Sequence, residues 1–434
     1  MGVNGWNDHD RSNRYTMRDI ALDYLESCPP NAVLFTQGDN DTYPLWYAQE
    51  VEGIRTDVRI INLSLAGVDW YIKSIHRKVN QSDIVPTILD DSAYIGDNRN
   101  RVSYQDINKD FDKDTYYRLS DVVRYMGSDD IKKKALMYGG VYDNYLPTKN
   151  FFVDVNRENV KKYHVLNDDD TTHIPAQLKW TFNKGYVDKN DLLLLDIIAA
   201  TDWSRPICFA QSCDSKAFQG LRDYLVQEGM VFRLTPVYHK MDPRKGTSMP
   251  SAVNTSRMYE LLFHKFQWGN IDKAKSIYLD ETITRMYQTV QSNFFILADA
   301  LIDEGRPGDS VVVNQAKLDQ AVQVLDKAFE VLPEHNLPLS PMAINFAMAY
   351  YRAGALKKGQ ALLNHIYDLN MQKMIYITSL DPDLVAESYA DDADECARSF
   401  YQGASMARDG RDTATFNKFN AAFNNYQKFI IDRR

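Results

Sequence analysis

Long apolar runs are missing from this chain of 434 residues. The longest, residues 192–200, is interrupted by Asp196, whereas a bilayer crossing needs roughly 20 residues in succession. Lys/Arg-rich blocks are missing too. A net charge of -9 and a pI near 5.5 argue against a general nucleic-acid binder, which presents a basic face. The four cysteines, Cys28, Cys208, Cys213 and Cys396, form no C-x-x-C pair and have no histidine at zinc spacing. So small a number fits a reducing cytosol and a periplasm equally well. None of G-x-S-x-G, Walker A, G-x-G-x-x-G or H-E-x-x-H occurs, which weakens hydrolase, NTPase, dinucleotide and zincin readings alike. No secretory leader opens the chain, and a start as abrupt as Met1-Gly2-Val3-Asn4-Gly5-Trp6 suggests an excised piece.

What is present is an ordinary globular balance, 44% apolar and 25% charged, with an aromatic share of 12% that includes 27 tyrosines. Such aromatics serve a large mixed core or a sugar-binding surface. Ile20, Ala21, Tyr24 and Leu25 recur at helical spacing behind Thr16-Met17-Arg18-Asp19, which has the form of a capping box. Residues 32–36 are a short apolar run expected as a buried strand. The segment 37–42 turns the chain into a helix expected from about Tyr43, and residues 58–65 follow as a second strand. Strand, helix and strand in so short a span make a βαβ unit with a parallel pair. Residues 80–180 are rich in Asp and Asn and predict a loop-rich insertion. Beyond it the pattern predicts a helix over 191–200, a strand over 205–210, a helix over 218–227 closed by Gly229, and a strand over 230–235.

From about Thr255 the period becomes 3.6. Ala321, Val324, Leu325, Ala328 and Leu332 match the second helix of a tetratricopeptide unit, and Ala343, Ala347, Tyr350 and Gly354 the first helix of the next. Leu318 and Leu356 lie further apart than one regular repeat, so the repeat is degenerate. The expected fold is therefore an α/β region over residues 1–250, βαβ-containing with a mostly parallel sheet, followed over 251–434 by an all-α tetratricopeptide-like region.

Chemistry concentrates in the front half. Asp39, Asn40 and Asp41 follow the first strand at its carboxyl end, where open α/β sheets place ligands. Two carboxylates at that spacing suit a divalent cation; equally, Asp41 or Thr42 suits the cap of the helix that follows. Asp8-His9-Asp10-Arg11 offers a base flanked by acids, or a solvated entry loop, and Arg11 reaching toward Asp39 or Asp41 would join the two clusters. Trp46, the pair Asp69-Trp70, and Trp203 with Arg205 each place an aromatic ring beside polar groups at a sheet edge. Such rings stack on sugars or pack into a core.

These residues also bring a resemblance. Residues 4–12, 31–53 and 58–65, Asp69-Trp70-Tyr71-Ile72 and Asp202-Trp203-Ser204-Arg205-Pro206-Ile207 look like the soluble C-terminal region of a Bacteroidetes family of multi-pass membrane proteins of unknown function. That family's membrane half resembles GT-C-type glycosyltransferases of the protein O-mannosyltransferase kind, which use a lipid-linked sugar donor. The resemblance covers about residues 1–240 well and the helical tail loosely. It implies a catalytic acid on a membrane half outside this chain, and a non-catalytic piece on the periplasmic, extracytoplasmic side of the inner membrane. Such a piece would meet the membrane only through an N-terminal portion. It would hold an acceptor polypeptide or protein partner on its helical repeats, or a glycan, with no cofactor. Two alternatives stay open: a metal-assisted enzyme acting on a sugar or phosphate ester through the Asp39/Asp41 turn, and a pure protein scaffold.

Overall fold

The structure, a computed structural model, describes residues 5, 11–137, 140–166, 174–240, 249–306 and 313–431, with side chains to residue 427. The described residues form two compact units. One spans residues 15–269; the other spans 270–431 together with the described residues up to Arg14.

The first unit opens with α1 (Thr16–Ser27), β1 (Val33–Thr36), α2 (Asp39–Glu50), β2 (Arg59–Asn62) and α3 (Asp69–Ile75). The capping box read at Thr16 is not formed. Thr16 is already helical, Tyr15 precedes it without a side-chain cap, and the Asp19 carboxylate instead accepts the Gly269 N–H at 2.8 Å. β1 and β2 are parallel, with Val33 opposite Arg59 and Thr36 opposite Asn62, so the expected βαβ unit is present. Every residue of β1 is buried, as an apolar strand covered on both faces requires.

The insertion supplies β3 (Arg101–Tyr104), β4 (Tyr117–Arg118), α4 (Leu119–Met126), β5 (Lys134–Leu136), β6 (Tyr142–Leu146), β7 (Asn150–Asp154), α5 (Arg157–Lys162), β8 (Gln177–Thr181) and β9 (Tyr186–Asp188). These strands build two small sheets, ordered β5-β6-β3-β9 and β4-β7-β8. α6 (Lys189–Ala200) then leads to β10 (Ile207–Ala210), β11 (Leu225–Glu228), β12 (Val231–Leu234), β13 (Ala252–Val253) and α7 (Thr255–Glu260). The main sheet has the order β13-β11-β12-β10-β1-β2 and is mixed: β10, β1 and β2 run parallel, while β12 opposes both β10 and β11. Phe35 of β1 and Phe209 of β10 stack at 5.4 Å inside it.

Residues 218–227 depart from the expected helix. Arg222–Tyr224 make only a single 3-10 turn and the last three residues begin β11, because Gly229 closes a hairpin and not a helix. Glu228 pairs with Val231, leaving Gly229 and Met230 as a two-residue turn, and Gly229 has a φ of 64°, in the left-handed range. The apolar spacing Leu221, Leu225 and Gly229 imitates a helical face in a segment whose backbone bonds go to a neighbouring strand.

The second unit is all helical: α8 (Glu281–Gly305), α9 (Gln315–Val331), α10 (Ala343–Arg352), α11 (Leu356–Ser379), α12 (Ala390–Asp409) and α13 (Thr413–Ile431). α8 packs on α9, α10 on α11, and α12 on α13, giving successive hairpins of the tetratricopeptide-like kind. α11 continues unbroken for 24 residues, from Leu356 to Ser379. Gly403 lets α12 and α13 meet, since a Cβ there would lie 2.2 Å from the Phe419 ring. Phe400, Phe419, Leu363 and Ile377 fill the seam. Among the described residues, no helix is long and apolar enough to cross a membrane.

Candidate functional site

The carboxyl edge of the parallel strands is closed by a polar network. α2 begins at Asp39, four residues before the expected start at Tyr43, and the chain passes from β1 to α2 through Gln37 and Gly38 alone. Asp41, 3% exposed, accepts the backbone N–H groups of Gly38 at 3.1 Å and Gln37 at 3.3 Å, the Thr42 hydroxyl at 3.2 Å and the Ser212 hydroxyl beyond β10. Gly38 has no side chain, so the cap is one-sided and rests on Asp41. Beneath it the Thr36 and Thr42 hydroxyls meet at 2.7 Å, and Asn62 of β2 donates to Thr42 Oγ1 at 2.9 Å. Gln37 and Asp214 bond reciprocally, side chain to side chain at 3.1 Å and Asp214 N–H to Gln37 Oε1 at 2.9 Å. The ends of β1, β2 and β10 are thus tied together, and Asp41 is a structural knot. Asp39 and Asn40 face outward and are exposed. Among the described residues no three His, Cys, Asp or Glu side chains stand close enough to hold a metal ion. Asp8, His9 and Asp10 lie outside the described residues; Arg11 is exposed and belongs to the helical unit.

The tryptophan corners divide. Trp203 is 8% exposed and donates its ring N–H to the Asp154 carbonyl at 2.9 Å; Asp202 and Trp203 both have positive φ, so the chain turns a strained corner between α6 and β10. Asp202 accepts from Asn156 at 2.8 Å and fastens that corner to the insertion. Arg205 is buried beside Arg59, and the two share Ser82 Oγ and the Asp83 carbonyl. Burial, then the neighbouring Arg59 charge, pull the Arg205 guanidinium down to about 10. Both cations are answered by carbonyls and a hydroxyl, which pin the segment 74–84 to the sheet.

Asp69 accepts the Gly96 N–H at 2.8 Å, whereas Trp70 is 62% exposed. Trp46 is half-buried, stands 5.6 Å from the exposed Tyr43 ring, and forms one wall of a cleft of about 170 Å³ with Gln49, Arg59, Tyr71 and Asn80. Trp46 and Trp70 are therefore the two sequence-predicted aromatics that present a face to solvent.

Two groupings were not legible beforehand. His76 bridges Asp91 through Nδ1 and Thr87 Oγ1 through Nε2, the latter at 3.0 Å, in the order of a nucleophile–base–acid triad. The Thr87 hydroxyl also reaches the Leu89 carbonyl at 3.1 Å, and the neighbouring amides of Ile88 and Leu89 are engaged by Asp196 at 2.6 and 3.1 Å. Pro86 carries no N–H, and with the Ile88 and Leu89 amides held by Asp196 the bridge fastens this loop. The second grouping is a groove of about 580 Å³ in the helical unit, walled by the start of α10 and by one face each of α11 and α12. Leu339, Met342, Ile366 and Leu369 line it beside Asn345 and Gln402. Its residues lie far apart in sequence, and only the degenerate repeat hinted at a concave face.

Fold and sites together define a protein with an α/β unit and a helical-hairpin unit, each containing its own cleft. Over residues 17–255, more than half of the chain, it matches the family described as TMEM260-associated domain 2, and the chain belongs to that family. No curated protein and no solved structure matches it.

Proposed function

We propose that this chain is a non-catalytic, extracytoplasmic binding part of a larger Bacteroidetes membrane protein with a GT-C-like glycosyltransferase half, and that it holds acceptor polypeptide for that half. The observation behind the reading is the helical-unit groove. Its volume lies in the range of ligand sites, and its mixture of apolar floor and side-chain amides suits an extended backbone with small side chains. The residues lining it include no aromatic ring, which favours polypeptide over sugar there. The long phrases shared with the Bacteroidetes family support the membrane-bound parent and the periplasmic side.

The test is site-specific photo-crosslinking on the full chain. A benzophenone side chain at Leu369, in the groove, should capture unfolded Ser/Thr-bearing peptides, and one at Ile375, exposed on the same helix, should not. Equal capture at the two positions, or none, would remove the reading. A second reading rests on Trp46: with Tyr43 beside it and a polar cleft behind it, this ring is placed to stack on a hexose. Oligosaccharide titrations that leave tryptophan fluorescence unchanged, or that respond equally in Trp46→Ala, would remove it.

A further inference from the structure

One part of the helical-unit groove is built for charge. Ser340 lines the groove and is only 8% exposed, yet its Oγ has no hydrogen-bond partner. Buried hydroxyls in native folds are nearly always satisfied, and an orphan beside a cavity is one that a ligand atom would complete. Ser340 precedes α10, whose first residue is Ala343 and whose N-terminus has no side-chain cap, so the partial positive charge of that helix end faces the same space. Across the groove on α12, Arg398 is exposed and makes no ion pair among the described residues. The neighbouring cation is committed: Lys373 is held by Asp392 at 2.7 Å and by Glu395 at 3.7 Å. Arg398 therefore supplies the unanswered charge, the helix end adds to it, and the Ser340 hydroxyl can donate to an anion that both attract.

We infer that the groove selects extended polypeptide in which a carboxylate, an Asp or Glu side chain or a chain end, docks against Arg398, Ser340 Oγ and the first turn of α10. This rests on the polypeptide reading above and adds the chemistry that discriminates among segments. A guanidinium and a hydroxyl give a carboxylate charge-assisted hydrogen bonds that the isosteric amide cannot match. The apolar floor around Ile366 and Leu369 accepts the flanking residues.

The experiment is a peptide array of short unstructured Ser/Thr-bearing sequences, each present with Asp or Glu and again with the matching Asn or Gln, probed with the labelled full chain. Acidic members should outbind their amide partners by about tenfold, the size of one charge-assisted hydrogen bond. The ratio should fall to near one in Arg398→Gln. Ser340→Ala should weaken the acidic members several-fold and leave the amide members unchanged. That variant should also unfold at a slightly higher temperature, since it deletes an unsatisfied hydroxyl. Equal binding of acid and amide forms by wild type, an acid preference that survives Arg398→Gln, or one that Ser340→Ala leaves undiminished, would overturn this inference and leave the polypeptide reading standing. Binding of no peptide at all would overturn both.

Discussion

Replacing Asp41 and Asp39 separately distinguishes a structural knot from a ligand site. Asp41 is buried and takes two backbone N–H groups and two hydroxyls at the start of α2, whereas Asp39 is exposed at the first position of the same helix. Losing a helix cap costs about 1 kcal/mol. Removing a charged acceptor from buried donors costs about 1.5–3 kcal/mol, toward the low end here because Gly38 and Ser212 can turn to water. Asp41→Ala should therefore destabilise the sheet unit by about 2–3 kcal/mol, a fall in unfolding midpoint of roughly 4–12 °C for a unit of this size. Asp39→Ala removes one exposed charge near a helix N-terminus and should cost about 0.3–0.5 kcal/mol. Urea unfolding followed by far-UV circular dichroism measures both. Equal losses, or a loss below about 0.5 kcal/mol for Asp41→Ala, would refute the capping account. So would a midpoint raised by millimolar divalent cation in wild type but not in Asp41→Ala.

Three further outcomes follow from named contacts. Asp196 is fully buried and accepts from Ile88 N–H, Leu89 N–H and the Tyr94 hydroxyl at 2.7 Å; Asp196→Ala should cost about 3–5 kcal/mol in denaturant unfolding, and a loss under about 1 kcal/mol would contradict the network. At Asp57, burial pushes the carboxyl up, but the Arg55 guanidinium and the Asn31 N–H outweigh it and hold it below the usual 3.8. A carboxyl depressed on folding adds stability above its unfolded pKa and loses it as pH falls, so wild type should lose more stability than Asp57→Asn between about pH 5 and pH 3; parallel curves would contradict this. Gly229→Ala would put a Cβ 2.4 Å from Ser27 Oγ and 2.7 Å from Leu261 Cδ1 at a φ of 64°, and should cost about 2–4 kcal/mol by thermal unfolding; a neutral substitution would mean that the hairpin turn is misassigned.

The fold was legible where one residue pattern admits one structure. The buried strand within residues 32–36, the βαβ step and the change of period after Thr255 all appear as expected. Reading failed where two structures share a pattern. Leu221, Leu225 and Gly229 fit a helix ending in glycine, and the pairing of Leu225 with Leu234 that decides for a hairpin is a tertiary fact. At the carboxyl edge the sequence offered cap and ligand readings for one acidic turn; only the donors around Asp41 separate them, and Ser212, one of these, lies far along the chain. Trp203 and Arg205 look like Trp46 and Trp70 in sequence, yet burial makes the first pair framework and leaves the second with a free ring face. The groove was the least legible feature, because Ser340, Leu369 and Arg398 converge only when α10, α11 and α12 pack.

Hydrogen exchange of the full chain with and without a bound Ser/Thr-bearing acidic peptide tests the binding account most directly. The account expects slowed exchange over residues 339–345, 366–373 and 395–402, the three walls of the groove, with the edge at residues 37–42 unchanged. Bound peptide that leaves those three segments unchanged and protects the sheet unit instead would contradict it.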